Sequence, residues 1–254
     1  MKNIGKFALL TISLNLSVVT SQMVVAAEPS ADDWQQSLVL YLWLPTLDGQ
    51  LKYPLDEGTS ASLDASEILD ALDMTFMGAY EARKDKWSFI GDVIYLNLGD
   101  DKNRDTLGYS NVDLKLKGWQ IGLYGGYNLL QNDKSTLDLT AGIRYLGIET
   151  EAKLSSDQLP LPDLNLSRDA DLWDGVIGLR GRFNINDNWY VPYYGDIGAG
   201  DSNMTWQVMG GIGYQADWGD TLLIYRYLEW DQDDDELLQD LSFGGPALAV
   251  KFNF

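Results

Sequence analysis

The chain has 254 residues, with 18 Lys+Arg against 38 Asp+Glu and neither His nor Cys. The acidic excess argues against a nucleic-acid partner, because phosphate binding needs a basic face. The missing imidazoles and thiols remove disulfides, cysteine nucleophiles and the usual zinc, haem and iron–sulfur ligands. A hydrophobic content of 45% with 12% aromatics is too rich for disorder, yet beyond residue 27 no segment approaches the roughly 18 apolar residues of a membrane helix.

The first element, residues 1–27, reads as a signal peptide. Lys2 and Lys6 supply the positive start, Phe7 to Val19 are mostly apolar, and Val25, Ala26 and Ala27 are small side chains ahead of Glu28. Cleavage is expected after Ala27, leaving one domain, residues 28–254. Losing Lys2 and Lys6 takes the net charge from −20 to −22. No Cys follows the cleavage site to carry a lipid anchor.

From there the dominant period is two, the strand signature, punctuated by Gly, Asn and Asp. The first strand, 37–45, is apolar on both faces (LVLYLWLP), so its facing is undecided. The long connection 46–73 contains SASEILDALD, where Ser66 as a cap and Ile68, Leu69 and Leu72 at helical spacing predict a short helix over or in the lumen. Strands 74–83 and 87–98 follow. In strand 113–129 the polar face changes phase near Gly118, which predicts a bulge there or a strand leaving the membrane at Trp119. The remaining strands are 135–149, 172–184, 189–199, 204–215, 221–230 and 241–254. Connections 84–86, 130–134, 185–188 and 216–220 are short, while 99–112, 151–171 and 231–240 are long. The exception, 200–203, is a short turn on the long-loop side.

Which face carries the aromatics decides between a soluble sandwich and a transmembrane barrel. They fall at both ends of the apolar faces: Trp87 and Tyr95, Trp119 and Tyr127, Trp173 and Phe183, Trp206 and Tyr214, with Trp189 opening its strand. Eight residues at about 3.3 Å, tilted near 40°, cross roughly 20 Å of depth, close to the apolar band of an outer-membrane barrel with two aromatic girdles. The opposite faces carry Glu81, Arg83, Asp92, Asp138, Arg144, Asp174, Arg180, Arg182, Asp196, Arg226 and Lys251, a charge density that suits a polar lumen and not a packed core. The expected fold is therefore an all-β, transmembrane, antiparallel up-and-down barrel of about ten strands, eight or twelve being the neighbouring even counts, with both termini periplasmic. Glycines in GDIGAG and MGGIGYQ are expected to relieve crowding against lumen side chains and not to cradle phosphate.

The chain ends with Phe252 and Phe254 on one outward stripe. This terminal aromatic stripe resembles the closing-strand signal by which bacterial outer-membrane proteins are recognised by the barrel-assembly machinery. GLRGRFNINDNWYVPYYGDIGAGDSNMTWQVMGGIGYQ, YRYLEWDQDDD, GGPALAV and FNF, together with YLWLPTLDG, EILDALDMTFMGAYEARKDKW and DVIYLNL, are similar to a family of small proteobacterial outer-membrane barrel proteins of unestablished function. The resemblance covers most of the mature chain and implies fold and a Gram-negative outer-membrane location, with outer-membrane lipids as surroundings. It supplies no substrate and no catalytic residues.

Enzymes built on such barrels resemble one another in using a histidine, which this chain lacks, and no GxSxG or GxxxxGK[ST] occurs. The acidic run holding Asp231, Asp233 and Asp235 offers hard oxygen ligands for divalent cations at an outer loop, but it lacks the EF-hand arrangement and reads first as a solvated loop. No catalytic residue, cofactor or specific metal site is expected. The functional expectation is a non-enzymatic structural or surface protein whose lumen is narrow or closed by ion pairs; a passive, porin-like pore is the alternative, and a membrane-embedded enzyme a more distant one.

Overall fold

The computed structural model describes residues 34–51, 59–63, 66, 68, 72–102, 111–155, 164–232 and 238–254. The signal segment and its cleavage site lie outside the described residues. Twelve strand segments follow one another: β1 (Gln35–Trp43), β2 (Thr46–Leu51), β3 (Thr59–Leu63), β4 (Leu72–Lys84), β5 (Trp87–Lys102), β6 (Asn111–Gln131), β7 (Ser135–Ser155), β8 (Leu164–Asn184), β9 (Trp189–Gly200), β10 (Met204–Ala216), β11 (Gly219–Asp231) and β12 (Leu238–Asn253). β4 to β12 form an antiparallel meander, and β1 joins its two edges by pairing with both β4 and β12. The result is a closed antiparallel barrel of ten strands. Closure leaves no unpaired edge, the condition for crossing an apolar layer with strands.

The two extra segments correct the expectation that the connection 46–73 holds a short helix and no strand. β2 continues β1 in the same register on β12, Trp43 facing Ala247 and Thr46 facing Gly244, with only Leu44 and Pro45 between them. Pro45 cannot donate to a ladder, and Leu44 N–H instead reaches Pro246 O at 3.0 Å. β3 folds back on β2 as a hairpin. Of the expected helix, Ser66 and Ile68 are helical and Ile68 is buried, whereas Leu72 opens β4; Leu69 lies outside the described residues.

The phase change at Gly118 is not a bulge. The β5–β6 register runs unbroken from Trp87–Tyr127 to Lys102–Val112, and the irregularity of β6 lies at Asn128/Leu130 against β7. What changes at Trp119 is the surroundings. Below it the odd face is apolar; above it Lys117 points outward to Glu149 at 4.0 Å, both well exposed. β7 and β8, 21 residues each, are about twice the 9–11 residues a tilted strand needs to span a bilayer, so the β7–β8 hairpin projects well beyond the apolar band.

Short turns gather at one rim. Asp85 takes φ 53° in the turn between β4 and β5, and Gly219 takes φ 149° at the β10–β11 turn, where a Cβ would stand 2.4 Å from Lys251 O. At the β8–β9 turn, Asn186 Oδ1 accepts the N–H groups of Asn188 and Trp189. Residues 185–189 separate the last paired residues, Asn184 and Tyr190, so Arg182 faces Pro192 and Asp196 faces Gly178. The first and last strands of the wall end at this rim: Gln36 and Phe254 exchange two backbone hydrogen bonds of 3.0 Å.

Phe254 thus closes the wall with its backbone while its ring stays exposed on the outward stripe with Phe252. Deleting Phe254 is expected to lower the yield of assembled barrel, read as loss of the heat-modifiable band on gels of membrane fractions. An unchanged band intensity contradicts a role for this residue in closure.

Candidate functional site

The alternation of each strand sends one set of side chains to the lipid and the other to the lumen. Outward, the expected aromatics assemble into two girdles by pairing across neighbouring strands. On the short-turn side Trp87 packs on Tyr127 and Trp189 on Tyr214, each at 4.9 Å between ring centroids. Phe183 belongs to the same exposed level. On the long-loop side Tyr95 packs on Trp119 at 4.4 Å, Trp173 on Tyr145 at 4.7 Å and Trp206 on Tyr227 at 4.9 Å. Tyr145 and Tyr227, not among the aromatics singled out in the sequence, complete this ring; Trp34, against Phe89, and Trp218, against Phe252, extend the lower ring.

Inward, the lumen is stratified. Towards the long loops it is filled by an apolar cluster: Trp43, Met77, Ile94, Leu146, Leu228 and Trp230, joined by Leu172, Leu241 and Ala247. Trp230 and Leu228 are each 1% exposed. The undecided first strand is resolved here, since Trp43 and Tyr41 point inward against this cluster. Trp43 is also pinned by its indole N–H, which donates to Gly245 O at 3.2 Å.

Two arginines carry the underside of the cluster. Arg144, 0% exposed, donates to Asp196 and to Thr205 Oγ1, and its guanidinium lies 6.0 Å from the Trp230 ring. Tyr194 Oη donates to the same Asp196 carboxylate. Arg226 donates to Asp92 and Gln120 at 3.0 Å and to Gln207 at 2.8 Å, with its guanidinium 5.0 Å from the Trp43 ring. Tyr41 Oη donates to Asp92 at 2.6 Å. A buried cation is tolerated only when paired and hydrogen-bonded, and both arginines meet that condition while presenting a face to an indole.

Nearer the short turns Glu81 accepts from Arg180 at 2.8 Å across the lumen and from Arg83 at 3.1 Å. Arg83 also pairs with Asp138, which Asn128 Nδ2 reaches at 2.7 Å. Arg180 therefore pairs with an acid on a non-adjacent strand. Asp174 is buried on the lumen side with no cation partner among the described residues: it accepts from Ser202 N at 3.0 Å and Ser202 Oγ at 2.6 Å, anchoring the short outer turn. Asp220, read in the sequence as a turn residue, is a lumen acid 2% exposed that accepts from Tyr190 Oη at 2.7 Å. Arg182 stacks over Tyr190 at 5.1 Å. Glycines make room for these rings: a Cβ on Gly213 would stand 2.4 Å from Tyr190, and one on Gly122 would stand 2.2 Å from Tyr124 Oη.

Between the arginine layer and the short-turn rim lies a cavity of about 440 Å³ whose walls include Glu81, Arg180, Arg182, Tyr190 and Lys251. The acidic run at 231–235 does not form a site among the described residues, where no group of three carboxylates comes together. Asp231 ends β11, its carbonyl accepting from Asn203 N–H at 3.0 Å, and Asp233 and Asp235 lie outside the described residues.

No protein-family model matches the chain, and no curated protein matches it in sequence. Among solved structures, the outer membrane protease OmpT of Escherichia coli is similar over 90% of this chain and 99% of that chain, with TM-score 0.50 and 10% identity. The translocator domain of the autotransporter NalP from Neisseria meningitidis covers 87% of this chain and 89% of its own, with TM-score 0.45 and 12% identity. Ail, the attachment invasion locus protein of Yersinia pestis, covers 87% and 98%, with TM-score 0.38 and 16% identity. The shared feature is the fold, that of bacterial outer-membrane β-barrels.

Replacing Arg144 with Ala leaves Asp196 buried without its cation, a change that costs about 3–5 kcal/mol. Lys117→Ala, on an exposed pair, is expected to cost under about 1 kcal/mol. The shift in the urea unfolding midpoint of each variant in lipid measures the difference; equal midpoints mean that the arginine layer is wet.

Proposed function

We propose that the chain is an integral outer-membrane barrel, both termini periplasmic, with a closed lumen and a structural or surface role. The observation that carries this reading is the layer of Trp230, Leu228, Trp43 and Leu146 seated on Arg144 and Arg226 across the lumen. A passive pore needs a continuous water path, and a side chain such as Arg144, 0% exposed, stands where that path would run. The projecting β7–β8 hairpin supports a surface role, since it places backbone beyond the apolar band. The likeness to a protease at 10% identity brings no activity to this chain.

Refolded protein in planar bilayers is expected to give no reproducible conductance steps, while a Trp230→Ala/Leu228→Ala variant opens brief events. Regular steps from the unmodified protein overturn the closed reading. For orientation, an epitope inserted within 156–163 is expected to be reached on intact cells and one within 132–134 only after permeabilisation; the reverse pattern inverts the topology.

A further inference from the structure

The cavity at the short-turn end is a positive chamber in an acidic protein. The whole chain carries a net charge of −20, yet the cavity is lined by Arg83, Arg180, Arg182, Arg226 and Lys251 against Glu81, Asp92 and Asp138 only. All three carboxylates have guanidinium partners: Glu81 with Arg180 and Arg83, Asp92 with Arg226, Asp138 with Arg83. Among the described residues Arg182 and Lys251 belong to no ion pair. Arg182 has only the Tyr190 ring beneath it, and Lys251 stands in the same field as Arg180 and Arg182, with Glu81 and Asp220 as its acidic neighbours.

Counting Asp220, which lies directly across β11–β12 from Lys251, the balance is five cations against four carboxylates; the remaining excess sits at Arg182 and Lys251, neither of which is in an ion pair, and a partly desolvated charge without a close partner favours an anion from outside. The rest of the lining says what kind of anion. Val39, Ile90, Leu222, Ile224 and Ala249 contribute apolar wall. Thr140, 1% exposed and without a hydrogen-bond partner for its Oγ1, adds one hydroxyl. Small-ligand sites commonly combine apolar walls with few polar groups in about 300–1,000 Å³. At about 30 Å³ for each water-sized group, this cavity holds roughly fifteen such groups.

We infer that this chamber binds a small amphiphilic anion, its carboxylate or phosphate held by Arg182 and Lys251 and its apolar part against Leu222 and Ile224. The ligand enters at the rim of the short turns, because Arg83, Gln131, Arg182 and Lys251 line the cavity within a few residues of those turns or of the chain end. The inference rests on the closed-lumen reading only for the chamber having a single mouth.

The test uses the refolded full chain in phosphatidylcholine nanodiscs, titrated calorimetrically with 4-phenylbutyrate and with its uncharged amide. Saturable binding of one acid per barrel is expected, at least tenfold tighter than the amide, with inorganic phosphate competing against the acid alone. Arg182→Gln/Lys251→Gln is expected to weaken the acid at least tenfold and leave the amide unchanged; Leu222→Trp, which fills the apolar wall, is expected to weaken both. No saturable binding, equal affinity for acid and amide, or indifference to phosphate overturns the proposal on the unmodified protein, whether or not the double variant folds. A protein that conducts ions yet still prefers the acid overturns closure and leaves the anion site standing.

Discussion

The constraint on which the rest of this molecule depends is that backbone N–H and C=O groups in an apolar layer must find partners within the protein. A meander of strands meets it everywhere except at its two edges, and the pairing of β1 with β12, from Ser37–Asn253 to Trp43–Ala247, removes those edges. Once the sheet is closed, alternation becomes a partition between lipid and lumen. Each apolar girdle and each inward charge then occupies a side that closure itself created.

Closure at ten strands poses a second problem, because a lumen wider than that of eight strands must be filled or flooded. Two solutions are used at two depths. Near the long loops, apolar side chains from seven strands pack into one cluster. Beneath them, Arg144 and Arg226 satisfy their charge with Asp196 and Asp92 and lend a planar face to Trp230 and Trp43. The indole rings and the guanidinium groups stabilise each other: the rings exclude water from the pairs, and the cations give the rings a floor. The ion pairs here add little net stability, since burying charge costs nearly what pairing returns.

Near the short turns the filling is incomplete and the sign of the charge is uneven. The pairing of Glu81 with both Arg180 and Arg83 concentrates two cations on one carboxylate, and Asp220 is taken up by a tyrosine hydroxyl. Balanced composition along the strands therefore becomes a local positive excess at one depth. Such an excess is a property of where pairs form across the barrel, and the count of charges alone conceals it.

The sequence by itself determined the architecture, because period-two alternation and aromatics eight residues apart are local consequences of a strand crossing an apolar slab. It placed the eleven charges of Glu81 through Lys251 on the correct face, for facing is fixed by parity. Parity says nothing of contact. Only the tertiary structure decided that Arg180 meets Glu81 across the lumen, that Thr46–Leu51 is strand because β12 offers it a ladder, that Gly118 needs no bulge because the surroundings and not the backbone change there, and that Trp230 and Leu228 pack into an apolar layer inside the lumen beside the expected ion pairs. These outcomes depend on register and barrel curvature, which bring together residues as far apart in sequence as Trp43 and Gly245, and no local pattern encodes them.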